Sequence, residues 1–151
     1  MKLMIPIASL CILLLAACST PPAPPVPTPV PTATQVVPTC DVSLWHHVYH
    51  PSRLQVVDVC RTITGTITDV RHEADGDAHI LLRLDDGTTL VTEAICVYPV
   101  SQADAVAACQ DFTPGLVIPP VGDHVAITGT YVLDTVHGWM EIHPISEITV
   151  I

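Results

Sequence analysis

Basic residues are almost absent from this chain. Among 151 residues, five are lysine or arginine against 15 aspartate or glutamate, and Lys2 is the sole lysine. Proteins that bind nucleic acid without sequence preference neutralise its phosphates with cationic side chains, so we do not expect nucleic acid as a partner. Acidic membrane surfaces are disfavoured for the same reason. The length allows one folded domain and excludes a channel, a multidomain synthetase or a repeat array.

The chain also lacks the short motifs of several enzyme classes. It contains no His-Glu-x-x-His of the zincins, no phosphate loop of the Gly-x-x-x-x-Gly-Lys type, and no Gly-x-Ser-x-Gly around a serine. The closely spaced cysteine pairs of zinc knuckles are missing too. These absences favour a non-catalytic role and leave the question of an enzyme open.

Residues 3–17 form an apolar run that follows Lys2. The run is shorter than the roughly 20 residues of a membrane-spanning helix and has the length of a secretory signal. It ends in Leu15-Ala16-Ala17-Cys18, which resembles the lipobox of bacterial lipoproteins, whose cysteine is acylated and becomes the new N-terminus. The resemblance implies that residues 1–18 are a lipoprotein signal peptide. An ordinary signal peptide that happens to contain Cys18 is the alternative.

Residues 19–39 are predicted to be a proline-rich linker. The stretch 21–38 holds 8 of the 15 prolines, which fix φ and remove backbone donors. An extended polyproline II spacer rises about 3.1 Å per residue, so it could hold a domain about 60 Å from a membrane. Together with Cys18, this predicts an exported protein that is lipid-anchored to the cell envelope, at the outer membrane or the outer face of the cell membrane, with the lipid bilayer as partner.

Four cysteines remain once Cys11 and Cys18 are assigned to the signal. Four cysteines allow three pairings, and proximity in the sequence favours Cys40–Cys60 and Cys96–Cys109. Such pairs fit an oxidising, extracytoplasmic compartment. A zinc site made of all four cysteines is the rival interpretation.

Residues 40–151 read as an all-β domain with one small helix. Strands are predicted at residues 62–70, 77–84, 88–96, 122–133 and 139–151, and a helix at 101–112, where Ser101 and Asp104 resemble a capping box. Three strands, a helix and a hairpin are the order of an OB-fold. We therefore predict a five-stranded OB-like Greek-key barrel with a short helix between strands three and four.

The candidate site lies where two loops of such a barrel meet, residues 72–76 and 134–138. If Ala78, Ile80 and Leu82 face the core, then period-two alternation places Asp77 and His79 on the outside. If Met140 and Ile142 face the core, Trp139, Glu141 and His143 point outward together. The predicted ligand-binding residues are His72, Asp75, Asp77, His79, His137, Trp139, Glu141 and His143.

Part of this set has the ligand types of a zinc site. Imidazole nitrogens and a carboxylate are offered by His79, His137, Glu141 and His143. Asp77 would lie next to these ligands without binding the ion itself. An open coordination position would activate water, and Glu141 could act as a general base. The alternatives are a hydrogen-bonded network that stiffens the hairpin, and a binding site for an organic or peptide ligand. Zinc is the one cofactor that the residues suggest.

Residues 50–151 resemble a group of small secreted bacterial domains that are OB-like and have no assigned function. The segments that carry the resemblance are His50-Pro51-Ser52-Arg53-Leu54, Asp75-Gly76-Asp77 with His79, His137-Gly138-Trp139, and Glu141-Ile142-His143-Pro144. The resemblance implies the architecture and no activity. The function expected from the sequence is a membrane-tethered extracytoplasmic module that binds an unknown small molecule or protein. The second expectation is a metal-binding protein or metal-dependent hydrolase.

Overall fold

The computed structural model describes residues 39–151. The predicted signal peptide, Cys18 and all but the last residue of the predicted linker lie outside the described residues. No helix in the described part is long and apolar enough to cross a membrane.

The described chain consists mostly of β-strands. A 3-10 helix (Val42–His47) and a second, shorter one (Pro51–Arg53) precede the first strand, and a single four-residue α-helix, α1, lies between the third and fourth strands in the sequence. The strands are β1 (Leu54–His72), β2 (Ala78–Leu84), β3 (Thr89–Ala94), β4 (His124–Asp134) and β5 (Trp139–Val150), and α1 covers Val106–Cys109.

The five strands form one sheet that closes into a ring. Their order is β1-β2-β3-β5-β4, and β4 pairs back with β1. Most neighbours are antiparallel, but β3 and β5 are parallel, with Val91 opposite Glu141. Because β1 is long, it pairs with β2 through its second half and with β4 along most of its length.

The main core follows the alternation seen in the sequence. Ala78, Ile80 and Leu82 are fully buried, as predicted for β2, and they pack with Ile127 and Ile142 from β4 and β5. Burial of β-branched and leucine side chains on the inner face of the ring is the main stabilising term for the sheet.

A second apolar cluster covers part of the outer face. It contains Val48, Leu54, Ile95, Cys96 and Val132, and Trp45 and Phe112 pack against it. Val132 lies directly opposite Glu141 in the β4–β5 pair, so the two share this face. The segments before β1 and after β3 therefore cover a surface of β5 that the sequence pattern left exposed.

Both predicted disulfides are confirmed. Cys40 pairs with Cys60 and Cys96 pairs with Cys109, with Cα–Cα distances of 5.4 and 5.5 Å. The first bond ties the segment before the sheet to β1. The second ties the loop after β3 to α1 and closes one side of the second cluster.

The largest errors in the predicted boundaries concern β1 and the helix. β1 begins at Leu54 rather than at residue 62, because its pairing with β4 starts there, with Leu54 opposite Asp134. The helix is confined to Val106–Cys109, and its N-cap residue, Ala105, provides no side-chain cap. Ser101, the predicted cap, instead donates its hydroxyl to the Ala74 carbonyl.

Candidate functional site

The two loops that the sequence singled out border one cleft. The turn after β1 contributes Glu73 and Asp75, and the β4–β5 turn region contributes His137 and Trp139. The cleft has a volume of about 390 Å³, which is in the range of small-molecule sites. Its lining residues are Arg53, Arg71, Glu73, Ala74, Asp75, His79, Glu93, Gln102, His137 and Trp139.

A row of polar side chains crosses the sheet beneath the cleft. Arg71 lies opposite His79 on β2, and His79 lies opposite Glu93 on β3. The parallel register that places Thr92 opposite Ile142 continues to bring Glu93 beside His143 on β5, where Glu93 Oε2 and His143 Nδ1 are 2.9 Å apart. Neighbouring positions across a sheet share a face, so four strands supply one row.

Glu93 connects the cleft to the buried part of this row. Its Oε1 is 3.2 Å from Nδ1 of His79, which lines the cleft, while its Oε2 faces His143. Burial alone would raise the pKa of Glu93, but hydrogen bonds and charge from the two histidines outweigh it and hold the pKa well below its usual range. The Glu93 hydrogen bond likewise raises the pKa of His79, against the opposing effect of burial.

His143 is almost fully buried, with an exposed fraction of 1%. Burial would lower the pKa of the imidazole, but hydrogen bonds to Glu141 and Glu93 raise it to about 10. Nδ1 lies 3.2 Å from Oε1 of Glu141, and the other Glu141 oxygen accepts the indole N–H of Trp139 at 2.9 Å. A continuous polar chain therefore runs from the rim residue Trp139 to the buried His143.

Asp77 lies at the inner end of the row. Its Oδ1 accepts the backbone N–H of Cys96 at 2.8 Å, and its Oδ2 is 3.9 Å from His143 Nε2, beyond hydrogen-bond distance. The residue is 2% exposed, and burial raises its pKa to about 7, although the Cys96 hydrogen bond and the charge of His143 oppose the shift.

Asp134 organises the opposite wall of the cleft. Its Oδ1 accepts the backbone N–H groups of Val136 and His137 at 2.8 and 3.1 Å, and its Oδ2 accepts from His137 Nδ1 at 2.9 Å. Arg53 Nε lies 3.2 Å from the same Oδ2. These contacts fix the β4–β5 turn and hold the His137 ring parallel to Trp139, with ring centroids 4.5 Å apart and planes 12° apart.

The structure brings most of the predicted site residues together, but at two depths. Asp75, His79, His137 and Trp139 line the cleft. The prediction that Asp77, Glu141 and His143 point to solvent is wrong, since all three are at least 98% buried. Glu141 and His143 do share a face with Trp139, but Trp45, Ile95 and Phe112 belong to the layer that covers that face. Asp77 precedes β2 and turns inward to cap Cys96.

Two of the predicted residues, His72 and His137, do not belong to the groups of converging donor atoms. His72 does not line the cleft, and its ring stacks on Tyr98 with centroids 3.4 Å apart. His137 is held by Asp134 and does not join the donor groups that converge within the described residues. One such group is Asp77, Glu93 and His143; the other is Asp77 with Cys96 and Cys109, whose sulfurs are bonded to each other.

Glu93 is the central residue that sequence reasoning missed, along with Arg53, Arg71 and Gln102 of the cleft lining. A signal for Glu93 was present. The Asp85-Asp86-Gly87 turn sets the β2–β3 register, and counting outward from it pairs His79 with Glu93. Arg53 and Gln102 come from segments whose local sequence does not indicate that they approach the cleft.

Comparison with known proteins gives no family assignment: no protein-family model matches the chain, and no curated protein matches its sequence. The site must therefore be interpreted from its chemistry. It offers an exposed indole, two imidazoles each anchored at Nδ1 by a carboxylate, guanidinium groups and carboxylates around a cleft. Such a set can bind a polar ligand or exchange protons with one.

Proposed function

We propose that this protein is a lipid-anchored, extracytoplasmic binding module that uses the cleft as its ligand site. The observation that carries the proposal is Trp139, a large aromatic side chain that remains 41% exposed at the rim of a polar cleft and is fixed from two sides. The second candidate is metal-dependent hydrolysis. Both candidates use the same cleft.

The orientation of Trp139 supports binding. Its indole N–H donates to buried Glu141 and its ring stacks on His137, so the ring is already ordered before any ligand arrives. An aromatic side chain held in this way loses little conformational entropy on binding. Trp is also among the residues that contribute most to interfaces when surrounded by polar groups.

An OB-type barrel is the finer architecture we propose for the closed sheet. The strand order β1-β2-β3-β5-β4, with α1 between β3 and β4 in the sequence, supports it. OB-folds bind ligands beside the loops that join strands one and two and strands four and five. The cleft is bordered by residues of these two connections.

The charges of the cleft favour a small polar ligand or an exposed peptide segment. Arg53 and Arg71 face Asp134 and Asp69, whereas Glu73 and Asp75 supply further negative charge at the rim. We do not expect nucleic acid here, because residues 40–151 hold 4 Arg against 15 carboxylates and stacking would lack its electrostatic support.

The proposed cellular location rests on the signal sequence. Cys18 would carry the lipid, residues 19–39 would act as spacer, and the folded part would face an oxidising compartment. The two disulfides are compatible with such a compartment.

The two tryptophans allow a direct test with an internal control. Trp139 borders the cleft, while the Trp45 indole N–H donates to Thr130 in the second cluster. In a ¹⁵N-labelled sample, a panel of amino acids, tripeptides, mono- and disaccharides and nucleotides is titrated while both indole N–H signals are followed. A cleft ligand shifts the Trp139 signal, leaves that of Trp45 in place, and loses at least tenfold in affinity in Trp139→Ala. Shifts confined to Trp45, or affinity unchanged by Trp139→Ala, would contradict the proposal.

Two imidazoles at the cleft favour the hydrolytic alternative. His79 and His137 each present Nδ1 to a carboxylate, an arrangement that fixes the ring and leaves Nε2 to exchange protons with a substrate or water. Turnover of a chromogenic ester or phosphodiester that is lost in His79→Gln would favour this function over binding alone. If neither compound is turned over, ligand binding remains the proposed function.

A further inference from the structure

Two buried polar atoms face each other without a hydrogen bond at the inner end of the polar row. They are Asp77 Oδ2 and His143 Nε2, which are 3.9 Å apart. In the described part of the chain, only Arg53 Nε is also buried without a hydrogen-bond partner. Buried polar atoms are nearly always satisfied, and leaving one unsatisfied costs about 1–3 kcal/mol. Two such atoms, 3.9 Å apart, can be satisfied together by one bound partner.

On the opposite side of the His143 ring, the number of acceptors exceeds the number of donors. A single N–H, at Nδ1, faces two carboxylates: Glu93 Oε2 at 2.9 Å and Glu141 Oε1 at 3.2 Å. One acceptor suffices for one donor, so Oε2 of Glu93 can take another partner while its Oε1 stays with His79 and Glu141 keeps the His143 ring oriented. A histidine that ligates a metal through one nitrogen usually donates the other N–H to a carboxylate in this way.

We propose that Asp77, Glu93 and His143 form a binding site for a divalent first-row transition metal, of which Zn²⁺ is the type. His143 Nε2, which releases its proton to solvent when the ion binds, and Asp77 Oδ2 are two ligands, and one oxygen of Glu93 is the third. One candidate ligand atom from each residue already lies within 4.8 Å of the others. Glu141 is the positioning residue that accepts the Nδ1–H of His143, and Trp139 in turn donates to Glu141.

The geometry requires a small shift between Asp77 and His143 and a larger movement of Glu93. Ligand atoms at about 2.0–2.2 Å from a tetrahedral ion are roughly 3.3–3.6 Å apart, so the Asp77–His143 distance must shorten by a few tenths of an ångström. The Glu93 carboxylate must leave Nδ1 of His143 and turn towards Asp77. Glu93 also lines the cleft, which gives the ion a route to the buried position.

The charges of the cluster also suit a dication. Asp77, Glu93 and Glu141 are three carboxylates in a region that is at least 93% buried, and His79 and His143 are the imidazoles that contact them. Buried carboxylates require compensation by positive charge. An imidazole ligand favours zinc and its first-row neighbours over calcium or magnesium, which prefer oxygen ligands throughout.

This site differs from the zinc site predicted from the sequence. That prediction grouped His79, His137, Glu141 and His143, but His137 is committed to Asp134 on the far wall of the cleft. The new site lies below the cleft and does not depend on the proposed binding function. Metal uptake and ligand binding can therefore succeed or fail separately.

The test is zinc binding by the mature protein, purified without a histidine tag, with its disulfides formed and its metals removed by chelation. The parent should take up one equivalent of Zn²⁺, measured by elemental analysis after dialysis and by calorimetric titration with zinc sulfate. Co²⁺ should give the visible absorption of a tetrahedral site. Asp77→Asn and His143→Gln should lose this uptake, and Glu141→Gln should weaken it by about 10- to 100-fold, as expected for a residue that orients a ligand.

Asp77→Asn is the decisive variant because the amide oxygen can still accept the Cys96 N–H, so the fold should persist. Circular dichroism and thiol counting verify that fold and the disulfides. His124→Gln, an exposed histidine on β4, and His137→Gln, on the cleft wall, are the controls that should bind zinc like the parent. The proposal is overturned if the parent takes up no zinc, or if Asp77→Asn binds as much as the parent. Loss in His137→Gln with retention in Asp77→Asn would instead support the site predicted from the sequence.

Discussion

Asp134 shows how much a single buried carboxylate contributes to the cleft. Although burial alone would raise its pKa, hydrogen bonds from His137 and Val136 and the charge of Arg53 hold the pKa below the ordinary value of 3.8. A carboxylate whose pKa is lowered on folding stabilises the protein above its unfolded-state pKa. That contribution is lost as the pH falls through the folded-state pKa.

We predict that Asp134→Asn lowers the free energy of unfolding by about 2 kcal/mol at neutral pH, since hydrogen bonds to a charged group contribute about 1.5–3 kcal/mol. The difference from the parent should shrink as the pH is lowered below the ordinary carboxyl value, where the parent carboxylate is protonated too. Urea unfolding over a pH series measures both effects.

Asp69→Asn is the matched control for this prediction. Asp69 also pairs with an arginine, Arg71 at 2.8 Å, but the Arg71 side chain is exposed and that of Asp69 is partly exposed. Exposed ion pairs contribute little, so this variant should stay within about 0.5 kcal/mol of the parent. If the difference in unfolding free energy between Asp134→Asn and the parent does not change with pH, the charge of Asp134 is not its source.

Residue types alone predicted part of the lining of the cleft. His79, His137, Trp139 and Asp75 stood out because polar and aromatic side chains gathered near two predicted loops, and they do line the cleft. Glu93 was overlooked because it is the only charged residue of its strand. The register that pairs it with His79 involves residues 14 positions apart in the sequence.

Gly129 sets the geometry of the β4–β5 pair. The register shifts on both sides of it, and an added Cβ would clash with the Pro144 carbonyl oxygen and approach Ile145 Cα to 3.0 Å. Both atoms belong to the backbone of β5 and cannot turn aside. The glycine therefore permits a close approach of two strands.

We predict that Gly129→Ala lowers the free energy of unfolding by about 1–3 kcal/mol, the usual cost of adding volume to a tightly packed site. Gly115→Ala is the control, because nothing lies within 4 Å of its added Cβ and its φ is not positive. Denaturant unfolding of the two variants beside the parent gives the comparison. Equal stability of all three would mean that the strands separate without cost.

The elements also explain why one face was misjudged. Alternation correctly grouped Ala78, Ile80 and Leu82 inside the ring, and it correctly placed Glu141 and His143 on the other face. It cannot tell whether another part of the chain covers that face. Here Val48 and Phe112, which are distant in the sequence, pack in the cluster of Val132, the β4 residue opposite Glu141, and this packing has no periodic signal in the sequence.

At the scale of the whole molecule, charge opposes contact with anionic lipid. The only lysine is Lys2, and the 4 Arg and 15 carboxylates that follow it give −11 with histidine neutral. An electrostatic attraction to acidic headgroups is therefore absent, and no described helix could span a bilayer. The attachment that we propose is therefore a covalent lipid at Cys18.

We predict that Cys18→Ala shifts the protein from the membrane to the soluble fraction, and that the N-terminal peptide of the parent begins at an acylated Cys18. Each acyl CH₂ that enters the bilayer contributes about 0.8 kcal/mol, so loss of the lipid removes the proposed attachment. Fractionation and mass spectrometry of the N-terminal peptide measure the two expectations separately. Cys11→Ala, within the same apolar run, is the control and should remain acylated and membrane-bound.

A parent whose N-terminal peptide lacks acyl groups would contradict the lipid anchor, even if the protein still sediments with membranes. Mass analysis of Cys18→Ala also reveals whether residues 1–17 remain attached, so retention by an uncleaved signal is distinguished from a second anchor.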